Sequence, residues 1–189
     1  MSPTPLYQEL VRMTPNRRVG RNECLGALLH HTGGRWAGDL ITLTTPNGAK
    51  SVSAHVLIGL KGTRALLADD RDVTWHAGLS SWKGRTGCNE FLIGIEFEGN
   101  TLERALTDDQ VVSGMEYLVP RMRLHGWTSE DVTHHRVVSP GRKVDLAPAE
   151  FDRFRLVLQR WEQRGRGAWN SDEAAAVSAD LAAWSAGAR

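Results

Sequence analysis

Four histidines stand in two adjacent pairs, each directly after a short apolar run. The pairs are His30-His31 and His134-His135, and Asp145 lies ten residues beyond the second pair. Imidazole nitrogens and a carboxylate oxygen are suitable zinc ligands, and a catalytic zinc needs three protein ligands with one position left open for water. We therefore expect these residues to supply a metal site at one rim of a sheet. The alternative is that each pair is a surface strand end with one buried, hydrogen-bonded histidine.

Glu96 is a carboxylate inside an apolar segment, residues 91–97. A carboxylate that faces a protein interior is costly unless it is paired or acts as an acid or base. Lys143 lies two residues before Asp145, where a cation could stabilise a developing oxyanion. The alternatives are a structural ion pair for Glu96 and a solvated loop lysine. The sequence contains neither a Gly-x-Ser-x-Gly nucleophile elbow nor a phosphate-binding glycine-rich loop.

The segments around these side chains predict an α/β domain built on one sheet with helices packed on it. Residues 52–60 and 91–97 have the apolar pattern of core strands, and a turn at 61–63 connects the first to residues 64–68. Thr107 and Gln110 predict a capping box for a helix that ends at Gly126. The remaining expected elements are helices at 6–13, 36–43, 150–163 and 171–185 (N-capped by Ser171), strands at 27–29 and 132–133, and a loop at 69–90.

The composition is that of an ordinary globular chain. Of its 189 residues, 41% are hydrophobic and 24% are charged, with a net charge of +1. These values exclude a disordered, collagen-like or membrane-spanning chain and give no overall charge that favours nucleic acid. Cys24 and Cys88 are too few for a disulfide framework, which leaves open one bridge between them. The first residues lack the basic and apolar parts of a secretory signal, so we expect cytoplasmic synthesis.

Six short motifs occur in order along the chain and together resemble a known family. They are His30-His31-Thr32, Val52-Ser53-Ala54-His55, Trp75-His76-Ala77-Gly78, Gly84-Arg85-Thr86-Gly87-Cys88-Asn89, Ile93-Gly94-Ile95-Glu96 and Pro140-Gly141-Arg142-Lys143-Val144-Asp145. Over about residues 25–158 the chain is similar to the type 2 family of zinc-dependent N-acetylmuramoyl-L-alanine amidases. That family includes cytoplasmic anhydromuramyl-peptide amidases, phage endolysins and peptidoglycan-recognition proteins.

The resemblance implies a central mixed β-sheet flanked by helices, with zinc in a surface groove. Carried over motif by motif, the implied zinc ligands are His30, His135 and Asp145. His135 is implied rather than His134 because its distance to Lys143 and the Lys-x-Asp ending match the family pattern.

The implied reaction is hydrolysis of the amide between the lactyl group of N-acetylmuramic acid and the L-Ala of peptidoglycan. Zinc activates water and polarises the carbonyl, Glu96 transfers the proton, and Lys143 helps to stabilise the oxyanion. Ala54 stands where other branches of the family carry a tyrosine, which favours Glu96 as the base. The residues expected to contact the substrate are His31, Trp75, His76, Arg85 and Asn89. For the last four, packing inside their own loops is an equal alternative.

Two positions depart from the cytoplasmic recycling enzymes that the family contains. Those enzymes carry arginines for the stem-peptide carboxylates where this chain has Ser51 and Gly87, and Lys50 could replace one of them. The segment between His30 and Val52 is also short for that subgroup. The missing arginines argue against the soluble recycling substrate, and the short segment predicts an open groove that could admit polymeric cell wall.

Our first functional prediction is therefore a bacteriolytic phage or prophage endolysin that reaches the wall after release by a holin. The alternative is a cytoplasmic anhydromuramyl-peptide amidase of cell-wall recycling, and a less favoured third is a peptidoglycan-binding protein without catalysis. We expect a monomer with a catalytic domain at 1–165 (core 25–158) and a helical extension at 166–189. Residues 1–21 and 142–166 each have a net charge of +3, which could contact an anionic surface or simply be a solvated face.

Overall fold

The centre of the fold is a six-stranded mixed sheet. The structure is a computed structural model, and it describes residues 5–187. The strands lie in the order β1-β5-β4-β9-β3-β10. Their bounds are Glu9–Val11 for β1, Arg64–Leu66 for β5, Val56–Ile58 for β4, Leu92–Phe97 for β9, Gly26–His31 for β3 and Val132–His134 for β10.

The middle of the sheet is parallel and almost fully buried. Strands β4, β9, β3 and β10 are parallel neighbours, while β5 pairs with β4 in the antiparallel sense. A parallel sheet covered on both faces requires nearly continuous apolar strands, and the segments Gly26–His31 and Leu92–Phe97 have that composition. The predicted α/β class with a central mixed sheet is confirmed.

Helices cover the two faces of the sheet unequally. The helices are α1 (Trp36–Thr44), α2 (Asp108–His125), the single turn α3 (His135–Val138), α4 (Pro148–Gln163) and α5 (Ser171–Gly187). On one face, α2, α4 and α5 form the main apolar core with alternate residues of β3, β4 and β9. On the other face, α1 covers only the β4–β5 end, and residues 73–91 cover part of the rest. The second face is therefore the one with room for a site.

The helix α2 begins and ends as expected from its sequence. Thr107 Oγ1 accepts from the backbone N–H of Gln110, and the Gln110 side chain accepts from the N–H of Thr107. Gly126 adopts a left-handed conformation with φ 71° at the C-terminal end, which a residue with a Cβ rarely adopts.

Four predicted elements differ from the structure. The expected helix at 6–13 is instead strand β1, because Glu9–Val11 pairs in parallel with β5 at the sheet edge. The strand at 52–60 is shorter, at Val56–Ile58. The loop at 69–90 contains strands β6 (Val73–Thr74), β7 (Ser81–Trp82) and β8 (Arg85–Thr86), where β7 and β8 form a hairpin and β6 pairs with β2 (Arg17–Arg18). Asn170, not Ser171, caps α5, since its Oδ1 accepts from Glu173 N at 2.9 Å.

The basic segment on α4 is largely paired with acids from other elements. Arg160 Nη1 and Arg164 Nη1 lie 2.9 and 2.8 Å from the two carboxylate oxygens of Asp180 on α5. Arg153 pairs with Asp108 and Arg155 pairs with Glu130. These ion pairs neutralise much of the positive charge counted in the sequence.

Three further features concern the whole chain. No helix among residues 5–187 has the length and apolar character needed to cross a membrane. Cys24 and Cys88 are both buried free thiols, so they do not form a bridge. Helix α5 packs into the main core through Val177 and Leu181.

Candidate metal centre

Three neighbouring strands bring the central residues of the site into one row. Glu96 on β9 stands beside His30 on β3 in the parallel register. Strand β10 pairs with β3 up to His134, so His135, the next residue, lies beside His30 on its other side. In-register residues of parallel strands point to the same face of the sheet, here the face that the helices cover less. The row places a carboxyl group and two imidazoles together.

The ligand atoms of His30, His135 and Asp145 converge at one point. His30 Nδ1 lies 2.8 Å from His135 Nδ1, and Asp145 Oδ2 lies 3.2 and 3.0 Å from these two nitrogens. A tetrahedral zinc with ligands at ~2.0–2.1 Å separates its ligand atoms by ~3.3 Å. The three observed distances are therefore close to the ligand–ligand distances expected around a tetrahedral zinc.

The protonation of His30 follows from a chain of hydrogen bonds behind it. His76 Nε2 donates to the carbonyl of Leu92 at 3.3 Å, which leaves His76 Nδ1 as an acceptor. His30 Nε2 lies 3.0 Å from that nitrogen and donates to it. Burial lowers the pKa of His30 to about 4, so its ring is neutral at pH 7 and its one proton is on Nε2. Its Nδ1 then offers a lone pair to the centre.

His135 is oriented in the same way by a backbone carbonyl. Its Nε2 lies 3.1 Å from the oxygen of Ala77 and donates to it, since a carbonyl only accepts. With Nε2 directed to this carbonyl, Nδ1 faces the centre, 3.0 Å from Asp145 Oδ2. Histidine ligands of metals commonly donate their second ring N–H to such an acceptor.

The donor set fits a metal cation. Two nitrogen lone pairs and a carboxylate oxygen meet within 3.2 Å, and all three residues are buried. Without a cation these electron-rich atoms repel one another, and a positive ion between them removes the repulsion. The three residues could therefore hold a metal ion.

Glu96 lies at the same cleft with one oxygen unpaired. Its Oε2 is buried and has no hydrogen-bond partner among residues 5–187. Burial raises the pKa of Glu96 well above its ordinary value; the nearby Asp145 raises it further and Lys143 opposes the shift. The structural ion pair that was the alternative for Glu96 is absent from the part of the chain that the structure describes. A carboxyl group in this position can accept and release a proton.

Two adjoining clefts open beside the centre. The smaller, of about 180 Å³, is lined by Glu96, His135 and Asp145 together with Lys143. The larger, of about 470 Å³, also reaches Lys143 and extends past Trp75 toward residues 48–52. The two volumes form one groove along the less covered face of the sheet.

The residues expected to contact substrate do not all line this groove. His31 lines the smaller cleft, with its Nδ1 held 2.7 Å from Thr101 Oγ1. Trp75 and His76 line both clefts, although His76 is nearly buried and its ring bonds His30. Arg85 lines neither cleft; its guanidinium pairs with Glu23.

Asn89 lines the larger cleft, but its side-chain oxygen is used inside the protein. Asn89 Oδ1 accepts from the backbone N–H groups of His76 and Ala77. The predicted role of Asn89 as a substrate contact does not account for these two hydrogen bonds.

Other residues that shape the site were not singled out as such from the sequence. Thr101 holds both His31 and Ala147, the residue two positions after Asp145. Arg142 donates to the carbonyls of Ala77 and Leu79. Gly94 leaves space for His76, since a Cβ there would lie 2.5 Å from its Cγ. The glycine inside an apolar strand was the available signal for this close approach.

His134 is turned away from the centre. Its Nδ1 lies 3.2 Å from the carbonyl oxygen of Leu146, and its ring stacks on Phe151 at 4.2 Å. The geometry thus separates the two members of this pair, one at the centre and one packed against α4.

Comparisons with known proteins identify the family of this chain. Residues 21–148 match the Amidase_2 family, N-acetylmuramoyl-L-alanine amidase. The 1,6-anhydro-N-acetylmuramyl-L-alanine amidase AmpD of Escherichia coli is 33% identical over 138 residues, 68% of this chain and 75% of that protein. AmpD of Haemophilus influenzae is 40% identical over 95 residues, 50% of this chain and 51% of that protein, so the match spans about half of its length.

A solved structure shows the same fold. The crystal structure of a selenomethionine derivative of AmpD superposes with a TM-score of 0.65 at 28% identity, covering 79% of this chain and 95% of that one. The predictions of a type 2 amidase and of an enzyme are confirmed. The chain belongs to the N-acetylmuramoyl-L-alanine amidase family.

Proposed function

We propose that this protein is a zinc-dependent amidase that cleaves the bond between the lactyl group of anhydro-N-acetylmuramic acid and L-Ala in soluble muropeptides. The observation that carries the proposal is the convergence of His30 Nδ1, His135 Nδ1 and Asp145 Oδ2 beside an unpaired carboxyl, Glu96. Zinc is favoured because two imidazoles and one carboxylate are a common catalytic zinc set. When bound, zinc supplies Lewis acidity and lowers the pKa of water.

Two side chains would carry the rest of the chemistry. Glu96 accepts a proton from the attacking water and returns it to the leaving amine, a role that its unpaired, buried oxygen supports. Lys143 lies where both clefts meet and places a positive charge beside the carbonyl oxygen of the substrate. Trp75 and His31 line the groove and would contact the substrate.

The substrate is assigned from the relatives, whose names support our alternative prediction better than the endolysin that we predicted first. AmpD of E. coli and of H. influenzae are named 1,6-anhydro-N-acetylmuramyl-L-alanine amidases. A recycling amidase would act on soluble muropeptides inside the cell. Polymeric wall remains the second candidate, because Ser51 and Gly87 replace the arginines expected in recycling enzymes and the groove is open along residues 48–52.

One experiment separates the two substrates. The purified protein is incubated with an anhydromuramyl tripeptide and, separately, with intact sacculi, and the products are identified by mass spectrometry. We expect free peptide from the soluble substrate at a rate far above that from sacculi. Faster release from sacculi would favour the lytic enzyme, and a cut at any other bond would refute the amidase.

A second experiment tests zinc and Glu96 together. Metal analysis should find one zinc per chain, chelation should abolish hydrolysis, and zinc should restore it. Glu98→Gln is the matched control for Glu96→Gln, because Glu98 lies two residues further and accepts from the backbone of Trp36 and Leu60. Glu96→Gln should strongly reduce hydrolysis and Glu98→Gln should not, while both variants should keep the zinc content of the wild-type protein.

A further inference from the structure

We propose that Asn89 is a positioning residue that orients both histidine ligands of the metal through the two-residue segment His76-Ala77. The inference rests on the proposed metal site and assigns Asn89 a role in metal affinity rather than in substrate contact. The side chain reaches the metal centre only through this segment, so its effect is indirect.

The first step is the contact of Asn89 with the segment. One atom, Asn89 Oδ1, accepts hydrogen bonds from the N–H of His76 at 3.0 Å and the N–H of Ala77 at 2.8 Å. A carbonyl oxygen has two lone pairs, so these two bonds use its capacity. The oxygen is therefore not available to a substrate in the groove.

The second step is that the same two residues supply the acceptors for both histidine ligands. His76 Nδ1 accepts from His30 Nε2 at 3.0 Å, and the Ala77 carbonyl accepts from His135 Nε2 at 3.1 Å. Each bond keeps a ring proton on Nε2 and directs Nδ1 toward the centre. A shift of the segment would therefore disturb both ligands at once.

The third step is that Asn89 itself is held from the other side. Its backbone oxygen accepts from Asn22 Nδ2 at 3.0 Å, and Asn89 lies in the short 3-10 turn Cys88–Glu90. Cys88 is fully buried and its N–H donates to Ser80 Oγ at 3.1 Å. Asn89 is thus connected both to the segment His76-Ala77 and to residues outside it.

A second side chain, that of Arg142, bonds only one of the two residues in the segment His76-Ala77. Arg142 Nη2 donates to the Ala77 carbonyl at 2.6 Å, the same oxygen that accepts from His135. Within residues 5–187, Arg142 makes no hydrogen bond to His76. Asn89 is the side chain that bonds both members of the segment, which makes it the position to test.

The test compares metal binding by three variants with that of the wild-type protein. Asn89→Ala removes the acceptor, Asn89→Asp keeps an oxygen at the same place, and Gln110→Ala is the control. Gln110 is a fully buried amide whose side chain bonds the backbone carbonyls of Ile58 and Glu98 on the helix-covered side. Zinc affinity is measured by competition with a chelator, and the visible spectrum of the cobalt-substituted protein reports ligand geometry.

We expect Asn89→Ala to weaken zinc binding by about 10–100-fold, the range seen when residues that orient metal ligands are lost, and to change the cobalt spectrum. Asn89→Asp should recover most of the affinity. Gln110→Ala should lower thermal stability but leave zinc affinity and the spectrum unchanged.

The inference is overturned if Asn89→Ala, folded by circular dichroism, binds zinc as the wild-type protein does with the same cobalt spectrum. It is also overturned if Gln110→Ala weakens zinc binding equally, because the effect would then follow from general destabilisation. If the wild-type protein itself binds no zinc, the proposed function fails instead, and the two failures are therefore distinguishable.

Discussion

Two regions of this protein that contain buried charged groups differ in one respect. At the edge of the sheet far from the metal centre, Arg64 is 2% exposed and bonds Glu9, Glu116 and Ser113. The second oxygen of Glu116 accepts from the N–H of Leu6 at 2.8 Å. Every group of this Arg64 cluster that bears a charge has a partner.

The candidate metal centre has the opposite character. Glu96 Oε2 has no partner among residues 5–187, and three electron-rich atoms of His30, His135 and Asp145 face one another. A buried polar group without a partner costs free energy, so its presence indicates a requirement other than stability. Partnered charges at the Arg64 cluster hold the fold, whereas unpartnered ones at the centre are available for chemistry.

The largest expected effect is on hydrolysis after Glu96→Gln. The rate should fall by about 10²–10⁴-fold, because a positioned acid or base contributes that much. Stability should not fall, since no hydrogen bond to the buried oxygen is lost. Steady-state hydrolysis and thermal unfolding of the same sample measure both; a destabilised variant would contradict the contrast between the two regions.

The corresponding change at the Arg64 cluster should lower stability and leave the hydrolysis rate unchanged. Glu116→Gln removes one charge of a buried pair and should lower the free energy of unfolding by about 3 kcal/mol. Its hydrolysis rate at a temperature where it is folded should equal that of the wild-type protein. Glu9→Gln is the milder control, because Glu9 is exposed. This substitution should lower the free energy of unfolding by less than about 1 kcal/mol. Urea unfolding gives these values.

Zinc should stabilise the protein only by binding at the site formed by His30, His135 and Asp145. At a free zinc concentration about one hundred times the Kd, the gain should be about 3 kcal/mol. Differential scanning calorimetry with and without chelator should show this gain in the wild-type protein and in Glu116→Gln. It should be absent in Asp145→Asn; a gain that persists there would place the metal elsewhere.

The most gradual expected effect is a pH dependence of stability from His55, a buried histidine outside the ligand set. Burial lowers its pKa to about 4; the nearby Asp72 backbone and Asp70 oppose the shift, while Arg121 adds to it. The ring of His76 lies 6.0 Å away. The unfolded chain takes up a proton near pH 6.5 and the folded protein only near pH 4, so stability should fall as pH decreases between these values.

The slope should be at most about 1.4 kcal/mol per pH unit from this one group. His55→Gln should reduce the slope in this interval by that amount, measured by urea unfolding of the metal-free protein at several pH values. An unchanged slope would mean that the ring is not neutral in the folded state.

Much of the candidate metal centre could be proposed from the sequence because each of its residues stands in a short motif that can be recognised by itself. The two histidine pairs follow short apolar strands, and an ordered set of six motifs accompanies them. Strands that are buried on both faces require continuous apolar runs, so β3 and β9 were expected nearly where they lie. The capping box of α2 depends on residues three positions apart and was also predicted correctly.

The predictions that failed depended on distant partners. Residues 6–13 have Leu6 and Leu10 at helical spacing, but pairing with β5, more than fifty residues away, makes Glu9–Val11 a strand. Arg85 was expected at the groove, yet its charge is paired with Glu23. Charge counts along the chain likewise suggested a basic patch on α4 that acids from α5 and residues 108 and 130 neutralise.

The sequence by itself determined which residue types are available and at which strand ends they stand, because alternation and apolar runs are local properties of the chain. Only the tertiary structure decided that Glu96, His30 and His135 form one row, that His134 packs against α4, and that Asn89 holds the segment behind both ligands. These relations depend on the register of parallel strands and on loops that meet across the sheet. Such contacts join residues 12 to 115 positions apart, and no local pattern specifies them.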